Sequence, residues 1–471
     1  MGGGMEITMK RIDRLNASIF GDMPDAARSL GHPAYHLTAP SHFTIDFWGS
    51  VKHEGYYHIF YHVCPERGDF QENTVFGHAR SKDLIHWEQL PFPILPSEDE
   101  LRMNDGCICF DDKGRPVMLY TSVPKKAVPR THCAAYGTPD LMHFERVDEN
   151  PFMTLDNHGG PDFHWGWSDP YVFRADGRTF MVMSKCVTRD GNKNLLPIYE
   201  ACDGSMLHWE YKGILFDNNG EVVNFFPLGD KWVLIYSPYD TIEYFVGDFD
   251  LEEMRFIPEN HGYLSYGYHS QSNPIDRGFY ATCLYEEKER TVLCGWVSGF
   301  SDHELWNGCM GIPRVLGLDA HGRLTQQPIP EVNMLRGEEL TPKASENEVC
   351  THTDSTLLDI CFDYTVADSP VTLTVESDGR TALTLTISAD RFAVNGEVYD
   401  CPCMMSGAPA SARILIDSSF AEIFLDCGAV SATRCFASLG KDVTVRITAK
   451  GGARIAEPHI YRMNPSTITR A

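Results

Sequence analysis

Four acidic residues stand at places in this chain where they could do chemistry. Asp46 lies in an apolar and aromatic run, Phe43-Thr44-Ile45-Asp46-Phe47-Trp48-Gly49. Burying a carboxylate in such a run is costly unless it is paired, hydrogen-bonded or at work. A lone Asp there is usually a turn cap, but this one has counterparts. Asp105, Asp169 and Glu221 hold the matching place in later segments, at steps of 59, 64 and 52 residues. Three chemistries are open to such a set. Convergent carboxylates can hold calcium or another hard cation. With aromatic residues (Phe43, Trp48, Trp165, Trp167) they can bind a sugar without cleaving it. Two of them can hydrolyse a glycosidic bond, one ionised on the anomeric carbon and one protonated near the leaving oxygen. In that last case Glu221 suits the acid. Val222, Val223, Phe225 and Phe226 follow it, and an apolar setting with negative Asp46 nearby favours the neutral form.

The elements that must position these acids repeat. Two apolar strands, 45–51 and 56–63, flank the turn Lys52-His53-Glu54-Gly55, which is a hairpin signature. The unit recurs at 107–122, 169–184, 222–237 and 281–298. Its second strands are marked by Tyr57, Val117, Thr179, Lys231 and Thr291, with steps of 60, 62, 52 and 60 residues. A fixed period of short strands predicts a radial repeat. A second motif agrees: Ser81-Lys82-Asp83-Leu84-Ile85-His86-Trp87-Glu88 recurs as variants at 138–145 and 203–210. Its His-aromatic pairs read as turns that pack between blades, with no histidine chemistry. The innermost strand of each propeller blade lines the central axis, so the four acids face one funnel. In the fifth blade the equivalent place falls near Tyr280, with Asp276 just upstream. The fold expected is all-β: a leader over 1–35, a five-bladed β-propeller over 36–336, a polar linker over 337–352 and a β-sandwich over 353–471.

Composition narrows the partners. Hydrophobic residues make up 43%, enough for a large core, and the net charge is -25. That balance argues against nucleic acid, which needs a basic stripe, and favours a neutral or cationic ligand. No apolar run reaches the roughly 18–20 residues of a membrane span, and no signal-peptide core is visible, so a cytoplasmic location is expected. The 15 cysteines then read as reduced thiols. Cys107-x-Cys109 and Cys401-x-Cys403 lack a second ligand pair at zinc spacing, and core thiols are the reading.

Several segments together resemble glycoside hydrolase family 32, the invertase–inulinase–levanase family. Asp46 matches the nucleophile in that family's Trp-Met-Asn-Asp-Pro-Asn-Gly motif. Tyr57-His58-Ile59-Phe60-Tyr61 is similar to its Tyr-His-Leu-Phe-Tyr strand, and 77–87 is close to another family segment. Ser168-Asp169-Pro170 stands where the family has Arg-Asp-Pro, and Glu221 where it has the acid/base of Glu-Cys-Pro. Ile312-Pro313-Arg314, 324–336 and 413–424 are similar to later family segments, so the likeness covers about 430 residues. The resemblance implies catalytic roles for Asp46, Asp169 and Glu221, with no metal and no cofactor.

The shell around these acids departs from the family pattern. Ile45 replaces Asn, Phe47 and Trp48 replace Pro and Asn, and His62 replaces Gln. Phe76 replaces Trp, Asn104-Asp105 replace Phe-Ser, Ser168 replaces Arg and Val222 replaces Cys. Phe43, Ile45, Trp48, His62, Phe76, Asn104, Asp105 and Ser168 are therefore the candidate sugar-binding residues. The expected function is a retaining hydrolase of β-fructofuranosides, with carboxyls about 5–5.5 Å apart. An inverting arabinan-type enzyme on the same fold and a sugar-binding protein without catalysis stay open as alternatives.

Overall fold

The computed structural model describes residues 2–65, 73–267, 278–300, 305–401 and 407–471, with side chains from residue 10 onward. Five antiparallel sheets radiate from one axis. Blade 1 holds His42–His53, Tyr56–Cys64, Val75–Ser81 and Trp87–Leu90. Blade 2 holds Glu100–Phe110, Pro116–Pro124, Thr131–Gly137 and Phe144–Arg146. Blade 3 runs from Ser168–Ala175 to Trp209–Phe216, and blade 4 from Glu221–Leu228 to Arg255–Leu264. Blade 5 has Phe279–Glu286 innermost, then Thr291–Val297, Arg314–Leu318 and Leu324–Pro328. Each blade pairs its strands in chain order, which is what short turns between consecutive apolar strands dictate. Blade 1 gains two parallel partners, Trp306–Asn307 on its inner strand and Ile468–Arg470 on its outer one. The ring is thus tied by late segments of the chain, which cover edges that would otherwise be free to pair.

The innermost strands share a feature that sequence periodicity does not display. Every one breaks register near its leading end. The skipped residues are Asp46, Asp105, Asp169, Val222 with Val223, and Ala281. Four of these bulges put a non-glycine residue in the left-handed region, at φ 31° for Asp46, 57° for Asp169, 51° for Val222 and 45° for Ala281. Such backbone is strained and persists only where the surroundings hold it. A bulge re-aims a side chain that strand alternation would send elsewhere. In blade 5 the equivalent residue is therefore Ala281 and not Tyr280, and Asp276 lies outside the described residues.

The recurring segments that end in a His-aromatic pair are turns, as their spacing suggests. Asp83 accepts the N–H groups of Ile85 and His86 at 2.9 and 2.8 Å, and Asp203 bonds His208 Nδ1 at 2.8 Å. The indoles of Trp87 and Trp209 donate back to Leu84 and Met206 carbonyls. Leu84, Leu141 and Met206 share a left-handed φ of 62–66°.

Two expectations are corrected. The stretch read as a leader holds a helix, Gly2–Arg28, which buries Ile12, Asn16, Ile19 and Ala26 on one face. Those positions repeat at helical period. The stretch read as a linker is strand. Arg336–Leu340 joins the six-stranded sheet of the sandwich, while Lys343–Ala344 and Glu348–Thr353 join the seven-stranded one. Inward-facing Leu358, Ile360, Leu373, Leu385, Ile414 and Ile447 form the sandwich core. No helix among the described residues is long and apolar enough to cross a membrane.

Candidate active site

The five bulges meet at one end of the axis, and the second strand of each early blade grips the bulge of the next. Residues His62, Thr121, Ser184 and Ser237 are register equivalents, each opposite the residue that precedes or begins a bulge. Thr121 Oγ1 accepts the Asp169 N–H at 2.9 Å, and Ser184 Oγ accepts the Val223 N–H at 3.2 Å. His62 is the exception. Its Nε2 lies 2.5 Å from a side-chain oxygen, Asp105 Oδ1. Small hydroxyls thus fix backbone in two blades, whereas an imidazole fixes a carboxylate in the first.

This scaffold brings Asp46, His62, Asp105, Asp169 and Glu221 together. Asp105, Asp169 and His62 are buried, and Asp46 is half-buried. Burial, then the charges of Asp105 and Glu221, push the Asp46 carboxyl well above the usual range. Burial, then Asp169 and Glu221, push Asp105 up in the same way. Asp169 is raised by burial against the pull of Lys185. Burial lowers His62 to about 4, outweighing nearby Asp46, so its ring is neutral at neutral pH. Asp46, Asp105 and Asp169, all pushed up, therefore share one site, which holds one ammonium among the described residues, and the three cannot all ionise without cost.

That ammonium is Lys185, which sequence reasoning misses. Its Nζ forms an ion pair with Glu221 Oε2. Its own backbone is left-handed, at φ 54°, and its N–H donates to Gly220 O at 2.9 Å. Lysine and glutamate are thereby anchored on adjoining backbone. Burial alone would lower the Lys185 ammonium, but Glu221 and Asp169 outweigh it and hold it charged. The expectation of an apolar setting for Glu221 is corrected by this contact. Phe225 and Phe226 turn into the packing between blades, and Val222 and Val223 are buried there while also lining the axial cavity. Tyr239, also missed, is 45% exposed at the rim, with Lys185 Nζ 5.4 Å from its ring centre. The Tyr239 N–H donates to the Tyr280 hydroxyl at 2.6 Å.

The remaining candidates divide. Ser168 is buried beside Asp169, and Ile45 lies opposite His62 in register. Asn104 accepts from Arg102 Nε at 3.0 Å. Trp48 and Phe76 pack at 4.4 Å within the core between blades 1 and 2, and Phe76 meets the His62 ring edge-on at 5.2 Å. Phe43 is taken into the core against Trp296. Of the two other tryptophans, Trp167 is buried and donates to Arg130 O, while Trp165 is 44% exposed. Beneath the acids a cavity of about 260 Å³ follows the axis, lined by residues such as Asp105, Asp169, Asn224, Thr282 and Glu286. Cys107 and Cys401 are buried and Cys109 partly so, while Cys403 lies outside the described residues.

Comparison with known proteins agrees with this architecture. The sequence profile of the Glycosyl hydrolases family 32 N-terminal domain matches residues 36–328. Among curated proteins, fructan 6-exohydrolase of Beta vulgaris is 29% identical over 347 residues, 64% of this chain and 55% of that protein. The chain thus spans little more than half the length of its plant relatives. Sucrose-6-phosphate hydrolase of Escherichia coli is 25% identical over 444 residues, 86% of this chain and 89% of that one. Among solved structures, the GH32 β-fructofuranosidase BmSUC1 of Bombyx mori superposes with a TM-score of 0.80 at 22% identity, covering 97% of this chain and 99% of its own. Since the family profile spans more than half of the chain, including all four funnel acids, this protein belongs to glycosyl hydrolase family 32.

Proposed function

We propose that the protein is a retaining glycoside hydrolase acting on β-fructofuranosides of the sucrose or fructan type. The observation that carries this reading is the convergence of Asp46, Asp169 and Glu221 from three different blades into one funnel. Each of the three also stands at a family motif position. Asp46 attacks the anomeric carbon as the bond to the leaving oxygen breaks, giving a glycosyl-enzyme ester. Glu221 delivers a proton to that leaving oxygen. It then takes one from water, which attacks the ester and frees Asp46. Asp169 holds ring hydroxyls and stabilises the oxocarbenium-like state, where charge-assisted hydrogen bonds are strongest. Lys185 orients the Glu221 carboxyl, and Tyr239 with Trp165 offers aromatic surface at the rim for the leaving sugar. His62, Asp105, Ile45 and Ser168 surround the fructosyl ring, while Phe43, Trp48 and Phe76 back that wall from the core.

The test is a panel of sucrose, sucrose 6-phosphate, inulin, levan and arabinan, read by chromatography for released sugars. Fructose release is expected from at least one fructoside and none from arabinan. Asp46→Asn and Glu221→Gln should each lose turnover by about 1,000-fold or more with the fold intact. Turnover of arabinan alone, or fructoside cleavage by Asp46→Asn at the native rate, overturns the reading.

A further inference from the structure

Behind Asp169 stands a histidine that the mechanism above does not use. The Asp169 N–H donates to Thr121 Oγ1 at 2.9 Å, and Thr121 Oγ1 lies 3.2 Å from His132 Nδ1. Thr121 and His132 are cross-strand partners in blade 2, and both are fully buried. A line of contacts thus runs from the left-handed bulge of blade 3, through a hydroxyl, to an imidazole. His132 exchanges backbone hydrogen bonds with Met153, and its ring meets that of Trp167 at 4.3 Å and 79°. Trp167, two residues before Asp169, donates its indole N–H to Arg130 O at 3.0 Å. At the equivalent place in blade 3, Ser184 holds the Val223 N–H with no histidine on its hydroxyl among the described residues. A hydroxyl alone therefore suffices to hold a bulge, and the fold does not require the imidazole.

Thr121 Oγ1 already accepts the Asp169 N–H, so its own hydrogen needs an acceptor, and His132 Nδ1 is in contact with it. His132 Nε2 has no hydrogen-bond partner among the described residues. A second ring proton would bury an unpaired cation there, and burial holds the His132 pKa down to about 3. With the one proton on Nε2, only that N–H is left unpaired. With it on Nδ1, both the Thr121 O–H and the Nε2 lone pair are left unpaired. We propose that His132 is a positioning residue for Asp169: its Nδ1 accepts the Thr121 hydroxyl hydrogen and so fixes the oxygen that grips the Asp169 bulge. The carboxylate that holds the sugar hydroxyls is thereby set by a side chain that never touches the sugar. The inference rests on the role of Asp169 proposed above.

Histidine-selective nitrogen NMR of the whole protein tests the line of contacts without turnover. The resonances lost in His132→Asn should show a protonated Nε2 and a bare Nδ1 at neutral pH. That Nδ1 resonance should shift in Thr121→Val, which lacks the donor, and stay near its place in Thr121→Ser, which keeps it. A protonated Nδ1 in the wild type overturns the proposal. So does the absence of any bare Nδ1 resonance that moves in Thr121→Val and not in Thr121→Ser, a result that holds even if His132→Asn fails to fold. In kinetics on a cleaved fructoside, His132→Leu should lower kcat by about 3- to 10-fold, the worth of one neutral hydrogen bond, with KM moving by less than about twofold. His132→Asn returns an acceptor at the place of Nδ1 and should recover most of that loss. With Thr121→Val already present, His132→Leu should cost less than about twofold in kcat. Equal kcat losses in the Leu and Asn variants, or full additivity with Thr121→Val, make His132 a core residue and refute the positioning role. If no fructoside is cleaved while the NMR result holds, the fructosidase reading fails and the hydrogen bond from Thr121 to His132 stands.

Discussion

The junction between propeller and sandwich carries a buried charge cluster whose pH response can be worked out. His36 Nδ1 lies 2.7 Å from Asp417 and its Nε2 lies 2.9 Å from Glu422, with all three side chains buried. Asp417 also accepts the N–H groups of Ala34 and Tyr35, and Glu422 accepts from Ile312 N–H and Arg314. Burial alone would lower the His36 pKa, but the two carboxylates outweigh it and raise it to about 9. An unfolded histidine titrates near 6.5, so the difference is about 2.5 units, worth about 3 kcal/mol. The sign follows from the raised value. The contribution is fully present below about pH 6.5 and is lost as pH rises through about 9. Urea unfolding of the wild type and His36→Gln at pH 6 and 9.5 isolates it. The variant should be less stable by about 3–5 kcal/mol at pH 6, because it leaves buried carboxylates short of a cation. That gap should shrink by about 3 kcal/mol at pH 9.5. A gap that stays constant between the two pH values refutes the claim that His36 is protonated in the folded protein.

Other consequences are simpler to check. Lys185→Met strands Glu221 and should lower kcat/KM by about 10- to 100-fold with little change in far-UV circular dichroism. Gly106 follows the blade-2 bulge, and a Cβ there would stand 1.8 Å from Leu119 O. Gly106→Ala should therefore destabilise the protein by about 1–3 kcal/mol in urea unfolding, since the neighbour is backbone and cannot yield. Tyr239→Ala should raise KM for a disaccharide more than it lowers kcat, if the rim ring serves the leaving sugar. Cleavage kinetics on sucrose and inulin would separate the two parameters.

Much of this arrangement is written in the chain at a scale that periodicity can read. Strand–turn–strand units about 60 residues apart specify a ring of blades, and an acid near the same point of each unit specifies a funnel. The bulges are not written so plainly. Val222 and Ala281 look like ordinary strand residues, yet their left-handed backbone marks the same structural place as Asp46 and Asp169. Lys185 escapes notice because its role depends on a turn that follows a strand and on a carboxylate 36 residues later, with no local pattern linking them. Phe43 is misleading for the opposite reason. Its place beside Asp46 in sequence suggests the funnel, but strand geometry carries it to the core. The helix Gly2–Arg28 was open to detection, since Ile12, Asn16, Ile19 and Ala26 fall on one face, though the glycines and charges of the segment obscure it. The strands at 336–353 are short and polar on their outer faces, so composition alone resembles a linker.

The central claim is that Asp46 forms a covalent bond with the sugar while Glu221 manages the protons. An aryl β-fructofuranoside needs no acid to release its leaving group, so Glu221→Gln should still form the ester but fail to activate water against it. Acid-quenched Glu221→Gln, digested and examined by mass spectrometry, should carry one hexosyl group on the peptide containing Asp46. A hexosyl group on Asp105 or Asp169, or release of the inverted anomer with no adduct on any peptide, would contradict the account.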